Sequence, residues 1–266
     1  MNIYLHELRS YRKSTIIWIL SAGIATALFM SMFTIFSEGS ADLVNLFSGF
    51  PKEILKAFGM PDISKFFTLP GFYSFILGFL VLCGAIQAMN LGISSLGREA
   101  TGKTADFLLT KPITRTRVIT AKLLAVLTCL AISSAIFLAV ATVSAFSVSP
   151  GGFDYGTFLL MTLSFFYLQL IFAALGFIVS VLVTKIESVL PVSLSTVFGF
   201  YIIGSVVAAL DDERIYYLTP FKYFDPVYIV QNSAYQLKYI IISVAIIMLA
   251  VAAGIIVYKR KDIHAV

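Results

Sequence analysis

TLPGFYSFILGFLVLCGAIQAMNLGISSLG, residues 68–97, runs without one Asp, Glu, Lys or Arg. A bilayer hydrocarbon core about 30 Å thick needs roughly 20 residues of α-helix at about 1.5 Å per residue, so this stretch alone can cross it. Barrel strands would show about ten residues of strict alternation, which is absent here. Five further charge-free runs meet the same test: 14–37, 123–153, 155–184, 188–210 and 239–258. The reading is an all-α membrane protein with six transmembrane helices, over about 15–37, 71–96, 123–148, 156–183, 189–210 and 239–258. It forms one domain, 1–266, with no polar stretch long enough for a second core.

Composition agrees with lipid as the main solvent. The 266 residues are 59% hydrophobic and 12% charged, with a mean hydropathy of +0.94; soluble domains carry about 25% charge. The net charge of +5 does not point to nucleic acid, because the cations sit between apolar runs and not on one folded polar surface. Cys83 and Cys129 each fall inside an apolar run without CxxC spacing or a neighbouring His, which argues against a disulfide or zinc site. The first run is longer than the roughly 7–15 residues of a signal-peptide core, so it is expected to be retained.

Charge placement gives orientation. With the N-terminus inside, the cytoplasmic segments hold Arg9, Arg12, Lys13, Arg98, Lys103, Lys111, Arg115, Arg117, Lys122, Lys185, Lys259, Arg260 and Lys261, 13 of the 19 basic residues. The opposite side holds Lys52, Lys56, Lys65, Arg214, Lys222 and Lys238. The positive-inside rule therefore predicts both ends in the cytoplasm.

Three segments between or before the spans carry further expectations. In residues 1–13, Ile3, Tyr4, Leu8 and Tyr11 recur at helical spacing among Glu7, Arg9, Arg12 and Lys13, which predicts a short amphipathic helix lying in the cytoplasmic interface. Residues 38–69 mix apolar side chains with frequent charges and predict half-buried outer helices. Residues 211–238 concentrate Tyr216, Tyr217, Phe221, Tyr223, Phe224 and Tyr228, a density suited to headgroup level. Short, partly re-entrant helices broken at Pro220 and Pro226 are expected there.

Motifs for chemistry are missing. There is no GxxxxGK[ST] loop, no HExxH and no Ser/His/Asp cluster at membrane depth. No ionisable acid or base other than Cys and Tyr lies in a span, whereas proton-coupled carriers usually keep one there. The chain is thus expected to bind no cofactor and to be no enzyme, and its energy must come from outside it.

The longest cytoplasmic segment, 97–122, reads GREATGKTADFLLTKPITRTRVITAK. Glu99, Gly102, Thr104, Asp106-Phe107-Leu108-Leu109, the Lys111-Pro112-Ile113-Thr114-Arg115 turn and Lys122 resemble the loop between spans two and three of ABC-2 type ABC transporter permeases. The close match covers about 25 residues, and the six-span plan extends it along the chain. Lys103-Thr104 departs from the small pair that more often follows the glycine. The resemblance implies a subunit that pairs with a second permease copy, as a homodimer or with a relative, and docks on separate ABC ATP-binding subunits holding ATP and Mg. It implies that Glu99–Leu109 forms a coupling helix and that residues 1–13 act as an elbow. The residues fit that role: 99–109 contain no proline, mix charge with Phe107, Leu108 and Leu109, and end before Pro112.

Within the spans, Gln87, Asn90 and Ser94 share one helix face, and Gln169 lies mid-span. Interhelical hydrogen bonds of about 1 kcal/mol each are one reading. Lining a substrate path at a dimer seam is the other. Gly84, Ala88, Gly92, Gly176, Gly199 and Gly204 are small enough to permit close helix approach. The expected function is export of a hydrophobic or amphipathic cargo (a drug, peptide antibiotic or lipid) or an ion across the plasma membrane, in a bacterium. An ATPase-docking sensor or scaffold and an intramembrane enzyme remain open as alternatives.

Overall fold

The structure, a computed structural model, describes residues 3–38, 44, 46–47, 49–58, 60, 62–101, 114–183, 188–210 and 213–260. Among them every regular element is helical: α1 (Ile3–Ser31), α2 (Phe33–Glu38), α3 (Lys52–Ala57), α4 (Ile63–Phe66), α5 (Leu69–Thr101), α6 (Arg115–Val148), α7 (Tyr155–Leu182), α8 (Val189–Leu210), α9 (Pro226–Asn232) and α10 (Leu237–Arg260). Two 3₁₀ turns, Glu213–Leu218 and Pro220–Lys222, precede α9. Six helical stretches are long and apolar enough to cross a membrane, the first being α1 with α2.

Spans α5 and α7 form the centre, each with 61% of its apolar window buried, against 17% for α1 and α10. They can lie so close because Gly92 and Gly176 face each other. A Cβ on Gly92 would stand 2.3 Å from the Ala173 carbonyl oxygen, and one on Gly176 2.5 Å from that of Met89. Gly84 serves the same helix pair differently, making room for the Phe165 ring, which stacks on Phe137 at 4.2 Å. Helices α1 and α6 pack together on one flank, α8 lies against α5 and α3, and α10 lies against α7. The outer faces of α1, α8 and α10 expose Leu, Ile, Val and Met, as helices in contact with lipid do.

Local chemistry explains where the helices begin. Asp154 caps α7, accepting hydrogen bonds from the amides of Gly156 (3.0 Å) and Thr157 (3.4 Å). The Thr157 hydroxyl and amide, then the Gly156 amide, hold its carboxyl below the ordinary value against desolvation. Asp225 caps α9 through the Val227 amide at 3.0 Å, with Pro226 at the first helical position. Pro220 likewise opens a 3₁₀ turn. The short helices of this segment are broken at both prolines, each of which opens the next one, because an N-terminal turn has no use for the missing N–H.

The amphipathic segment at residues 1–13 is continuous with the first span: α1 runs unbroken from Ile3 through Ser14 to Ser31, with no Gly or Pro before Gly23. The break falls at Met32, where the Ser31 hydroxyl donates to Leu28 O (2.7 Å) and the Thr34 hydroxyl to Ser31 O (3.3 Å), a pattern that bends helices. The helix that carries span three, α6, begins at Arg115, directly after the extended Thr114.

Candidate functional site

Of the residues expected to couple the chain to an ATPase, Glu99 alone is among the described residues. Glu99 falls in the last turn of α5. Gly102, Thr104, Asp106, Phe107, Leu108 and Leu109 lie outside the described residues. What is described is the far side of that loop, where α6 begins, and it is tied to two other helices. Lys122 on α6 and Glu7 on α1 form an ion pair at 2.7 Å, with side chains only 4% and 13% exposed. Tyr4 and Thr128 share a hydrogen bond at 3.0 Å two turns along the same seam, and Tyr11 is fully buried beside them. Arg115, the first residue of α6, donates through Nη1 to the carbonyl oxygens of Lys259 (3.2 Å) and Tyr258 (3.5 Å) at the end of α10. A cation is favourable there because the last carbonyls of a helix are unpaired and carry the negative end of its dipole.

Lys122 and Arg115 thus tie the start of α6 to α1 and to the end of α10.

The second group of residues lies in the middle of the bundle. The structure brings Gln87 of α5 and Gln169 of α7 together: Gln169 Nε2 donates to Gln87 Oε1 at 3.2 Å, with Gly84 O at 3.4 Å. Two residues of α6 complete the network. Gln87 Nε2 donates to Ser133 Oγ (2.9 Å), which donates to Cys129 O (2.9 Å), and Ser134 Oγ donates to Gln169 Oε1 (2.8 Å). Both glutamines are buried, and their hydrogen bonds link α5, α6 and α7. Ser94 is buried further along α5 and Asn90 is half-buried; neither joins this set of bonds.

Sequence reasoning missed Ser133, Ser134, Glu7, Tyr4 and the pair Tyr73–Thr162, whose hydroxyls meet at 2.9 Å. Serine and threonine in spans are common enough that nothing in one sequence marks these as partners. Among the described residues, no group of three or more His, Cys, Asp or Glu is placed to hold a metal ion.

A bundle of six helices long and apolar enough to cross a membrane is a multi-pass membrane protein. The family described as ABC-2 family transporter protein matches residues 1–263, and the chain belongs to that family. It is therefore a membrane subunit of the permease type. No curated protein matches the chain.

Proposed function

We propose that this chain is the permease of an ABC exporter in a bacterial plasma membrane. Two copies, or one copy and a related permease, form the pathway, and separate subunits that bind ATP and Mg drive it. The chain itself holds no cofactor and performs no hydrolysis. Its cargo is hydrophobic or amphipathic, since charged side chains that would greet a polar solute are missing from the spans; drugs, peptide antibiotics, lipids and, less well matched, small ions fall within that reading.

The observation that carries the proposal is the family match over 1–263 taken with the clasp at the root of the loop. A docked ATPase pushing on 99–109 would move α6 at Arg115, and the Glu7 and Lys259 contacts would pass that motion to the outer helices of the bundle. A signalling role would use the same linkage without cargo. Flux separates them: vesicles containing the chain and its partner ATPase are loaded with a candidate amphiphile and supplied with ATP. Phe107→Asp or Leu108→Asp is expected to abolish ATP-dependent flux while leaving the unfolding midpoint of the chain unchanged. Unchanged flux in both variants removes the loop from the drive, and ATP turnover without flux of any amphiphile favours the sensor.

A further inference from the structure

On α1 the free cations and the exposed apolar side chains share one side of the helix. Arg9, Lys13, Ile16, Leu20 and Ile24 recur every three or four residues, so at about 100° per residue they fall within an arc of about 80°, with Arg12 bordering it. All six are exposed. Tyr4 and Glu7, which bond to α6, lie on the opposite side. Orientation alone does not require this split. The positive-inside rule counts cations per segment and is indifferent to the side of the helix on which they stand.

Two features say what covers these cations. The first is charge. Glu7 is the one acid of α1, and Lys122 takes it at 2.7 Å. Among the described residues, Arg9, Arg12 and Lys13 have no ion-pair partner. Arg9 is three and four residues from the other two, spacings that put Cβ atoms about 5–6 Å apart, so three like charges crowd into little more than one turn. A phosphate relieves that crowding, because its oxygens accept paired bonds from guanidinium groups and single ones from an ammonium.

The second is depth. Measured along α1 at about 1.5 Å per residue, Lys13 and Arg12 stand about 4.5 and 6 Å beyond Ile16, and Arg9 about 10 Å beyond it. The polar layer of a bilayer is roughly 5–8 Å deep on each side. Lipids whose chains cover Ile16, Leu20 and Ile24 therefore carry their phosphates at the level of Lys13 and Arg12, with Arg9 at the outer edge of the heads.

We propose that this face of α1 holds an anionic phospholipid of the surrounding bilayer, its phosphate among Arg9, Arg12 and Lys13 and an acyl chain along Ile16, Leu20 and Ile24, in preference to a zwitterionic lipid with the same chains. This goes beyond the export reading and needs only the membrane-spanning bundle.

The full chain carries Trp18→Phe, which removes its single tryptophan, and Ile16→Trp, which places a reporter on the face. It is reconstituted in phosphatidylcholine vesicles containing a minor fraction of chain-brominated lipid, either phosphatidylglycerol or phosphatidylcholine, whose bromines quench tryptophan on contact. The quenching ratio is expected to favour phosphatidylglycerol about tenfold, to fall about twofold with each of Arg9→Gln, Arg12→Gln and Lys13→Gln, and to reach unity when all three are replaced. Quenching by brominated phosphatidylcholine should be the same with and without the replacements, since the face stays in lipid. A reporter on the exposed face of α10, Met248→Trp in the Trp18→Phe background, should favour neither lipid. Equal quenching by the two lipids at position 16 overturns the proposal and leaves the cations to a protein partner. A preference that survives the triple replacement, or one of equal size at position 248, overturns it as well, because the attraction is then not made by these three side chains. ATP-driven flux has no part in this readout, so the export reading and the lipid site can fail separately.

Discussion

Gly92→Ala tests the packing that holds the two central spans together. The new methyl would stand 2.3 Å from Ala173 O and 3.0 Å from Phe177 N, both backbone atoms of α7 that cannot rotate away. Restoring ordinary contact requires α5 and α7 to separate locally by about 1 Å. Such a gap forfeits a quarter to a half of each contact's roughly 0.1–0.2 kcal/mol, and over roughly 30 atom pairs this is about 1–3 kcal/mol. That agrees with the usual cost of overpacking, about 1–3 kcal/mol. Alanine's better helix propensity offers little compensation, because a span in lipid stays helical when the bundle comes apart. Gly176→Ala, 2.5 Å from Met89 O, should behave alike. The control is Gly199→Ala on α8, where a Cβ meets nothing within 4 Å and stability should hold within about 0.5 kcal/mol. The assay is SDS titration in mixed micelles, followed by the fluorescence of the single tryptophan, Trp18, which packs against the core. Equal midpoints for Gly92→Ala and Gly199→Ala would refute the close crossing.

The same titration reads two further changes. Glu7→Gln removes the carboxylate that pairs with Lys122, whose side chain is 4% exposed, and should cost about 2 kcal/mol, whereas the double replacement Glu7→Leu, Lys122→Met should recover most of that loss. Gln169→Leu removes the donor to Gln87 and the acceptor for Ser134, and should cost about 1 kcal/mol, with the Gln87→Leu, Gln169→Leu pair costing less than the sum of its parts.

The six spans were legible because lipid imposes a strict rule, that about 20 residues pass without charge, and 68–97 displays it in plain letters. What each polar residue faces was not legible. Glu7 and Lys122 are 115 positions apart, and each reads alone as a solvated charge near a membrane surface; only the packing of α1 on α6 makes them partners. Gln87 and Gln169 stood out as polar in apolar runs, yet Ser133 and Ser134 completing their bonds did not. The glycines were equivalent in one sequence, though Gly92 and Gly176 meet backbone, Gly84 meets a ring and Gly199 meets nothing. The change in polarity near Ser14 does not interrupt α1, which ends at Ser31 beside the hydroxyl bonds of Ser31 and Thr34. Pro220 and Pro226 were legible as the breaks between the short helices of 213–232, since proline ends one helix and is at home in the first turn of the next.

The central claim, that drive enters the bundle from the cytosol through the segment after α5, is tested most directly by where that segment lies. Cys83 and Cys129 are replaced by alanine, Ala105→Cys is introduced, and a membrane-impermeant maleimide is applied to intact cells and to inside-out vesicles. The account predicts labelling in inside-out vesicles alone, with protection when the partner ATPase is bound. Labelling in intact cells would contradict it.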